Sequence, residues 1–524
     1  MNQPNQQNSI FKVIGASSLG TLIEWYDFYI FGSLATIIGA QLFPADAGAS
    51  ALINTLAIFA AGFIVRPFGA LVFGRLGDLI GRKYTFMLTL LLMGGATFLI
   101  GLIPGYETIG FMAPVLVLVL RLLQGLALGG EYGGAATYVA EHSPADKRGF
   151  WTSWIQTTAT VGLFVSLIVI QITQSVLGKE TFEDWGWRVP FLVSILMVGV
   201  SFIIRRNMHE SPLFAKAKAE GKTSSNPLKD SFGNKLNFKF VLLALLGATM
   251  GQGVVWYTGQ FYALSFLQKV MSIDLKQTNE LMTIALLMGT PFFVFFGWLS
   301  DKMNRKYIML AGMLLGVFSY RPIYKKMFET TNVANKTELV EKTTVDVTRA
   351  AIVKDGVETS DSTITTLTKK EYADGTKFEE KKIQKVLADG SEAPKPEVKK
   401  TVLINNSDKW SLILLVFIQV IFVTMAYGPI AAFLVEMFPV KIRYTSMSLP
   451  YHVGNGIFGG LLPTIATALV VNATKANEDA AAAGLPLPYE SPYLEGLWYP
   501  IIIAAMSLII GALYINGKDK SIHD

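Results

Sequence analysis

The chain alternates between long apolar runs and short polar stretches, and this pattern predicts helices that cross a membrane. A helix of about 20 residues spans the hydrocarbon core of a bilayer, and the apolar runs reach or exceed that length. Several runs are longer than this minimum, so tilted or broken helices are expected. Twelve spans are predicted, at residues 15–43, 51–74, 84–104, 111–140, 150–177, 187–206, 239–268, 278–300, 306–324, 410–436, 444–473 and 492–516.

The spans form two similar halves, because one ten-residue segment occurs twice. Gly74-Arg-Leu-Gly-Asp78-Leu-Ile-Gly-Arg82-Lys83 returns, 223 positions later, as Gly297-Trp-Leu-Ser-Asp301-Lys-Met-Asn-Arg305-Lys306. Gly, Leu, Asp, Arg and Lys keep the same offsets in both copies of this decapeptide. A second pair, Glu141-x-x-Pro144-x-x-x-Arg148 and Glu436-x-x-Pro439-x-x-x-Arg443, also shares one spacing. The duplication predicts two six-helix bundles in tandem, an architecture typical of transporters.

The second half carries an insertion between spans nine and ten. Asp78 and Glu141 are 63 positions apart, whereas Asp301 and Glu436 are 135 apart, so about 70 residues are added. Three Asp-Gly pairs (355–356, 374–375, 389–390) divide runs in which Thr, Val and Ile alternate with polar residues, and this predicts a small β-meander. A flexible charged loop is the alternative.

These features divide the chain into successive parts. They are a first six-helix half (1–206), a linker (207–238), helices seven to nine (239–324), the insertion (325–409), helices ten to twelve (410–516) and a tail (517–524).

Composition supports a membrane protein. Hydrophobic residues make up 51% of the chain and charged residues 16%, against about 25% charged in soluble domains. A large soluble enzyme with deeply buried helices is the alternative, and the length of the apolar runs argues against it. The polar segment Met1 to Ile10 lacks a basic region and a cleavage site, so no removable signal peptide is expected. The chain has no Cys, which excludes disulfides and Cys-based metal sites.

The basic residues predict the orientation in the membrane. Lys and Arg concentrate in the even-numbered loops, while odd loops such as Glu180–Asp184 are acidic or mixed. Even loops and both termini are therefore expected in the cytoplasm, and residues 327–408 outside it. The net charge of +6 follows from this topology and needs no nucleic-acid partner. The basic residues of the linker loop, Arg205, Arg206, Lys216, Lys218, Lys222, Lys229 and Lys235, are counted with the cytoplasmic set.

At these motifs the chain resembles the major facilitator superfamily and, within it, the metabolite:proton symporter family. The decapeptides carry the resemblance to the superfamily. The narrower marks are Glu24-Trp-Tyr-Asp27-Phe, Val65-Arg66-Pro67-Phe-Gly69, Arg121-Leu-Leu-Gln124-Gly125 running to Gly129-Gly-Glu131, Gly186-Trp-Arg188-Val-Pro190-Phe, Glu210-Ser-Pro-Leu-Phe214 and Phe458-Gly-Gly-Leu-Leu-Pro463.

The resemblance covers nearly the whole chain except residues 327–408. The Pro-Glu-Thr-Lys-Gly ending of sugar porters and the Gly-Pro signature of drug antiporters in 150–177 are absent. Both departures favour symport of a small metabolite, the organic-acid or proline–betaine kind.

Ionisable residues inside the spans are costly and are therefore candidates for proton coupling. Asp27 lies about 18 Å into span one and Arg121 about 15 Å into span four, so the two are expected to pair near mid-depth. Glu24, one turn from Asp27, is expected to share a proton with it. Glu131, among glycines, is a further titrating candidate. A static ion pair is the alternative for Asp27 and Arg121, and close helix contact is the alternative role of the glycines.

Candidate substrate contacts lie in both halves. An Arg fork binds a carboxylate bidentately, which suits Arg66 and Arg121. Trp and Tyr walls could enclose a quaternary ammonium group or hydrogen-bond an acid, although aromatic stripes also arise from helix packing. His452, inside span eleven, titrates or stays neutral and hydrogen-bonded. The predicted substrate-binding set is Arg66, Arg121, Gln124, Gln252, Trp256, Tyr257, Gln260, Tyr451, His452 and Asn455.

The repeated charges at the cytoplasmic edge predict a gate. Charge pairs between helix ends can latch that side shut while the site opens outward, and a purely topological role is the alternative. The predicted gate residues are Asp78, Arg82, Glu141, Arg148, Asp301, Arg305, Glu436 and Arg443.

Together these features predict a proton-coupled importer of a small organic acid or zwitterion that works by alternating access. The expected partners are the substrate, the proton as coupling ion and the lipid bilayer, with no nucleic acid, metal or organic cofactor, and a monomer is expected. The expected location is the bacterial inner membrane. The alternatives are a sugar or other solute uniporter or symporter of the same superfamily, and a nutrient sensor that uses the insertion. No metal spacing, nucleotide loop or nucleophile constellation supports an enzyme.

Overall fold

We describe a computed structural model of the chain, which covers residues 4–44, 49–354, 357–387 and 396–515. Most of this part is helical, in twelve long helices that correspond to the twelve predicted spans. The helices are α1 (Pro4–Leu42), α2 (Ala49–Ile64 and Arg66–Leu79), α3 (Arg82–Ile100), α4 (Met112–His142), α5 (Ala145–Leu177), α6 (Arg188–Arg206), α7 (Lys235–Val270), α8 (Leu275–Lys302), α9 (Arg305–Thr331), α10 (Asn406–Met437), α11 (Arg443–Ala482) and α12 (Pro492–Tyr514).

Ten of the twelve helices are long and apolar enough to cross a membrane by length and composition, among the described residues. The other two, α1 and α9, are long but carry charges within their length. Glu24 and Asp27 interrupt α1, and Arg321 and two lysines occupy the second half of α9. Such charges lower the mean hydropathy of a helix without shortening it, so composition rather than length sets these two apart.

Some helix ends differ from the predicted ones. The last helix of the first half and the first of the second are joined by 207–234, which includes the short helix Pro212–Ala219. Helix α7 begins at Lys235 rather than 239, and α9 continues seven residues past 324 to Thr331. Polar helix ends carry no apolar signal, so the sequence pattern places the boundaries too far inward. The predicted tail 517–524 lies outside the described residues.

Helix α7 is wound unevenly. Three five-residue segments have π-helical hydrogen bonding: Leu245–Thr249, Thr258–Tyr262 and Phe266–Val270. A π turn holds one residue more than an α turn, so each segment rotates the positions that follow it relative to a regular helix. The two ends of α7 therefore present faces that a 3.6-residue period does not predict.

The insertion forms the predicted β-meander. Its strands are β1 (Thr344–Lys354), β2 (Val357–Glu371), β3 (Lys377–Val386) and β4 (Glu397–Leu403), all antiparallel and in chain order. The Asp374-Gly375 pair forms the β2–β3 turn, with Gly375 at φ +86°, a conformation that glycine adopts without strain. The other two Asp-Gly pairs lie outside the described residues.

Backbone bonds hold the sheet against the loop that joins α7 to α8. Val402 donates to the carbonyl of Ser272 at 2.7 Å and accepts from the amide of Asp274 at 2.9 Å. Gln277 exchanges two hydrogen bonds with the backbone of Ile404, at 2.8 and 2.9 Å. The sheet therefore lies at the end of the bundle opposite the decapeptide turns. We call these two ends the sheet side and the decapeptide side.

Candidate functional site

Asp27 and Arg121 form a buried ion pair in the first half. The carboxylate Oδ2 of Asp27, on α1, lies 2.6 Å from Nη1 of Arg121 on α4, and both side chains are almost inaccessible to solvent. Gln124, one turn along α4, donates to Oδ1 of Asp27 at 3.0 Å and accepts from Arg121 at 2.7 Å. The matched depths of the two residues in their spans predict this pairing.

Glu24 has an arginine of its own. Its Oε1 lies 3.2 Å from Nη1 of Arg66, which begins the second segment of α2 directly after the break at Val65. The expected sharing of a proton between Glu24 and Asp27 is not what this geometry shows. Each carboxylate is held by a separate guanidinium, because α2 and α4 approach α1 at different heights and supply one arginine each.

A small cavity lies between the halves beside Glu24 and Arg66. Its volume is about 30 Å³, roughly the room of one water molecule, so the two halves are closed around it. Buried nitrogens without a hydrogen-bond partner among the described residues surround it: Nε of Arg66, Nε1 of Trp256 and Nε2 of His452. The lining residues are Glu24, Trp25, Arg66, Trp256, Tyr257, Tyr427, Tyr451, His452, Asn455 and Gly456.

Aromatic contacts across the halves close this cavity. Trp25 of α1 packs on Trp256 of α7 with ring centroids 5.1 Å apart. Tyr132 of α4 stacks on Tyr451 of α11 at 3.7 Å, and the hydroxyl of Tyr451 bonds that of Tyr427 at 2.6 Å. Aromatic side chains from α1, α4, α7, α10 and α11 thus form a wall that only closure of both halves completes.

The predicted polar face of α7 is divided between two places. Gln252 exchanges hydrogen bonds of 3.2 and 3.0 Å with Asn455 of α11 beside the cavity. Gln260 instead lines a separate cavity with Tyr29 and Asn279. The structure therefore separates Gln260 from Trp256, which the sequence predicts on one face. The π-helical segment Thr258–Tyr262 departs from the regular α-helical spacing on which that prediction rests.

Glu131 is buried against a residue that the sequence assigns elsewhere. Its Oε1 lies 2.6 Å from Nη2 of Arg205, and its Oε2 accepts from Thr89 at 2.7 Å. Arg205 was counted among the basic residues of a cytoplasmic loop, but it is 1% exposed and points into the first half. The structure corrects that assignment. Arg205 and its exposed neighbour Arg206 both lie in the last turn of α6, so their place in the helix does not separate them.

Sequence reasoning also missed several aromatic residues that line the central cavity or pack on its lining. Trp25 stands between Glu24 and Asp27 in a motif that was singled out for its carboxylates alone. Tyr132 directly follows Glu131, and Tyr427 ends an apolar run of α10. Nothing in an isolated helix shows that Trp25 meets Trp256 or that Tyr132 meets Tyr427, since these contacts join helices far apart in the chain.

On the decapeptide side each repeated Asp binds a helix start in the opposite half. Asp78 accepts from the backbone amide and the hydroxyl of Thr445 at 2.8 and 2.7 Å, at the start of α11. Asp301 accepts from the amides of Gly149 and Phe150, both at 2.7 Å, near the start of α5. A carboxylate at a helix N-terminus is favoured by the unpaired amides and the helix dipole.

Charge pairs reinforce both contacts. Arg443 bonds Glu141 across the halves at 2.9 Å, and Arg82 contacts Asp78 at 3.1 Å and Glu141 at 3.4 Å. In the second copy Arg305 bonds Glu436 at 2.9 Å, and Arg148 reaches Glu436 at 3.7 Å. The two copies are related by the repeat, and together they join the two halves on the decapeptide side.

The backbones themselves touch at this closure. Gly149 and Gly297 face each other so closely that a Cβ on either would overlap the other's carbonyl oxygen.

Residues 17–323 match the Major Facilitator Superfamily. The chain belongs to the Major Facilitator Superfamily. The predicted fold, twelve helices in two halves with a β insertion between helices nine and ten, is confirmed.

Relatives within the Major Facilitator Superfamily agree with the predicted metabolite symporter family. The chain is 34% identical over 310 residues to the proline/betaine transporter of Escherichia coli strain K12, a match covering 57% of this chain and 61% of that protein. It is 28% identical over 464 residues to the citrate-proton symporter of Salmonella typhi, covering 88% and 87%. The match to the first of these spans about three fifths of its length.

A solved structure of the same superfamily supports the architecture. The proton:xylose symporter XylE bound to 6-bromo-6-deoxy-D-glucose superimposes on 97% of this chain and 95% of its own, with a TM-score of 0.62 and 13% identity. At this identity the likeness shows the fold alone.

Proposed function

We propose that the chain is a secondary active transporter that imports a small zwitterion or organic acid together with protons. The proposal is supported by the central cavity, where Arg66 and Glu24 stand beside aromatic rings from both halves. A site shared between two repeats can face one side of a membrane at a time as the halves rock around it.

We place the decapeptide side in the cytoplasm of a bacterial cell with an inner membrane. The turns on that side carry Lys and Arg in both halves, and such residues favour the cytoplasmic side. The sheet then lies outside the cytoplasm. With the decapeptide side shut by Asp78, Asp301 and their partners, the protein would next open outward, and the eight gate residues would act as its latch.

The charges that line the central cavity favour a zwitterion over a compound with several carboxylates. Among the described lining residues, Arg66 is positive and Glu24 is negative, so their charges cancel. A guanidinium binds one carboxylate of a substrate, and the rings of Trp25, Trp256 and Tyr451 suit a cationic ammonium group. Citrate would bring three negative charges to one arginine.

Asp27 and Arg121 supply the coupling step. When Asp27 takes up a proton it no longer holds the guanidinium by charge, so Arg121 is free to reorient. Gln124 bonds both residues and transmits the change along α4. Proton binding outside and release inside would thereby drive the substrate in the same direction.

Uptake into proteoliposomes tests the proposal. Radiolabelled proline, glycine betaine, citrate and α-ketoglutarate would be offered one at a time, with and without an inward proton gradient. We expect accumulation of at least one solute, fastest for the zwitterions, and its collapse when an uncoupler is added. Uptake that ignores the gradient and the uncoupler would contradict proton coupling. Binding of these solutes without any transport would favour a sensor.

A further inference from the structure

Three arginine–carboxylate pairs follow one face of α1. Gly20, Glu24 and Asp27 are spaced so that they lie on the same side of the helix. Asp27 meets Arg121, Glu24 meets Arg66, and Gly20 faces the pair of Glu131 and Arg205. With a rise of about 1.5 Å per residue, the three levels are about 6 Å and 4.5 Å apart along α1. The Glu131–Arg205 pair is the one nearest the decapeptide side.

Gly20 makes room for this third pair. A Cβ at Gly20 would overlap both the guanidinium of Arg205 and the carboxylate of Glu131. The two charged groups therefore press directly against the backbone of α1, one turn from Glu24. Any side chain at this position would separate them or push them away from the Glu24–Arg66 pair.

Arg205 keeps its place independently of Glu131. Its Nη1 donates to the carbonyl of Phe86 at 2.6 Å, its Nε donates to that of Ala16 at 3.2 Å, and its guanidinium stacks on the ring of Phe86 at 3.4 Å. A carboxylate that loses its charge by protonation would leave this arginine where it is. The guanidinium of Arg205 is thus held in place beside Glu131 by contacts that do not involve Glu131.

The other groups around Glu131 are few. Thr89 of α3 donates to it, while Glu24 of α1 and Tyr444 of α11 interact with it electrostatically. The hydroxyl of Tyr444 donates a hydrogen bond to the carbonyl of Gly130 in the other half, at 2.6 Å. Glu24 lies one turn from Gly20 on the same face of α1, so it is the acidic group at the next level of this helix.

A wide groove approaches the same pair from the decapeptide side. It has a volume of about 1230 Å³ and runs between α1, the end of α4 and the end of α6. Ala16, whose carbonyl binds Arg205, lines this groove with Ser18 and Ile204, and His142 and His209 stand at its polar end. Arg205 therefore bonds a residue that lines the groove, through the carbonyl of Ala16, and also contacts Glu131.

We propose that Glu131 and Arg205 form the site from which protons are released from the protein toward the decapeptide side. The proton taken up by Asp27 passes to the carboxylate of Glu24, and Asp27 returns to its pair with Arg121. The proton then passes from the carboxyl group of Glu24 to the carboxylate of Glu131, and Glu24 returns to its pair with Arg66. It then passes from Glu131 to a water molecule in the groove, which becomes hydronium, and the carboxylate returns to its pair with Arg205. Arg205 is a positioning residue, because it touches neither substrate nor the central cavity. The inference rests on the proposed proton-coupled transport.

The test compares two kinds of transport in proteoliposomes that carry the Arg205→Gln variant. The probes are those of proline, glycine betaine, citrate and α-ketoglutarate that the wild-type protein takes up. Exchange of internal for external label at equal pH needs no net proton release, and we expect it to stay within about threefold of wild type. Accumulation driven by a proton gradient should fall at least about tenfold, as should proton entry followed with an internal pH dye.

Two further variants and a control make the result specific. Glu131→Gln should likewise keep exchange and lose proton-driven accumulation. Arg205→Lys should recover part of the accumulation because it restores the positive charge. Arg206→Gln changes the exposed neighbour and should match wild type. If Arg205→Gln prevents insertion into the membrane, Arg205→Lys and Glu131→Gln still decide the matter through the same split.

Three outcomes would overturn the inference. One is full proton-driven accumulation in Arg205→Gln or Glu131→Gln. Another is equal loss of exchange and accumulation in folded protein, which indicates a structural role. The third is a Lys variant as impaired as the Gln variant. A wild-type protein that exchanges solute but ignores the gradient would instead contradict the proposed function itself, so the two failures are distinguishable.

Discussion

Asp27 is held by two donors on one helix, Arg121 at 2.6 Å and Gln124 at 3.0 Å. Both donors belong to α4, so the charge of a single carboxylate fixes how α1 and α4 sit together. Removing that charge leaves a hydrogen bond but not the ion pair, and the cost of leaving a buried arginine unpaired is large. Substitutions of Asp27 and of Arg121 are therefore expected to cause different transport defects.

Asp27→Asn imitates the protonated state permanently. We expect it to keep solute exchange within about threefold of wild type and to lose uphill accumulation by at least about tenfold. Arg121→Ala should lower exchange as well, by at least about tenfold, because the same side chain is proposed to meet substrate. Counterflow and gradient-driven uptake in proteoliposomes measure the two quantities.

The exposed carboxylate Asp479 provides a matched control for this pair of variants. Asp479→Asn removes one charge at the end of α11, far from both ion pairs along the chain, and should behave as wild type. Proton-driven accumulation that survives in Asp27→Asn would contradict the assignment of Asp27 as the proton-binding group. Glu24 or Glu131 would then be the candidate for proton coupling.

The decapeptide contacts show what an element gains from being repeated. In each half an Asp near the end of one helix receives the amides at the start of a helix from the other half. Both contacts use backbone amides of the receiving helix, and Asp78 gains the hydroxyl of Thr445 in addition. The Asp is the part that must be kept.

Asp78→Asn should weaken the latch and raise the population open on the decapeptide side. The neutral amide loses the attraction to the helix N-terminus and to Arg82, about 1 kcal/mol or more for a buried contact. Since the chain has no native Cys, spin labels at Arg75→Cys and Met303→Cys report the separation of the halves without background. We expect the distance between the two labels, measured by double electron–electron resonance, to be longer in Asp78→Asn than in the protein without this substitution.

The same labels in an otherwise unaltered protein, and together with Asp479→Asn, give the reference distribution. Asp301→Asn should act in the same direction as Asp78→Asn, because the repeat gives it an equivalent place. An unchanged distribution in both Asp variants would show that the contacts merely accompany closure.

The β-meander is tied to α10 by a lysine. Lys336 bonds Asp374 in the β2–β3 turn and, at 2.5 Å, Asp408 in the first turn of α10. Burial alone would raise the pKa of Asp374, but hydrogen bonds from Lys336 and Thr376 hold it below the ordinary value. A lowered pKa means that this carboxylate stabilises the attachment above its ordinary pKa of about 3.9 and stops doing so as the pH falls through the lowered value.

We therefore expect the attachment to loosen in acid, below about pH 4. Hydrogen–deuterium exchange across residues 332–376, corrected for intrinsic rates, should rise there in wild type. Asp374→Asn should show faster exchange already at neutral pH and a smaller change on acidification. Identical pH profiles for the two proteins would contradict the proposed link.

The elements differ in how far the sequence reveals them. Spans, duplication and meander follow from periodicity and spacing, because apolar length and Asp-Gly turns are local signals. The Asp27–Arg121 pair was within reach because depth along a span can be counted. Gln260 was misplaced since π-helical winding depends on packing, and Arg205 was misassigned since burial at a helix end is set by neighbours distant in sequence. The ring contacts of Trp25 and Tyr132 are likewise tertiary.

For the molecule as a whole, we expect the insertion to be dispensable for the transport core. The first half has no counterpart to it, and the helices on either side end cleanly, α9 at Thr331 and α10 at Asn406. Replacing residues 333–404 by a short Gly/Ser linker should therefore preserve folding and measurable uptake, and keep Asn405 as the cap of α10.

Size-exclusion profiles and proteoliposome uptake of this deletion variant check the prediction, with the full chain beside it. A correctly inserted variant that takes up nothing would make the sheet a gate or a substrate receptor. If the deletion variant fails to integrate into the membrane, the bonds of Ser272 and Asp274 to the sheet are needed for assembly of α7 and α8.

The attached sheet also has a practical consequence for imaging. A protein whose mass lies mostly within a detergent or lipid belt offers electron cryo-microscopy few features for aligning particles. Strand β2, with 15 residues, is about 50 Å long, and the sheet is fixed to the second half by main-chain bonds rather than by a swinging hinge. It is a built-in fiducial marker. An antibody fragment raised against it would enlarge the marker while leaving the groove, the cavity and the latch untouched.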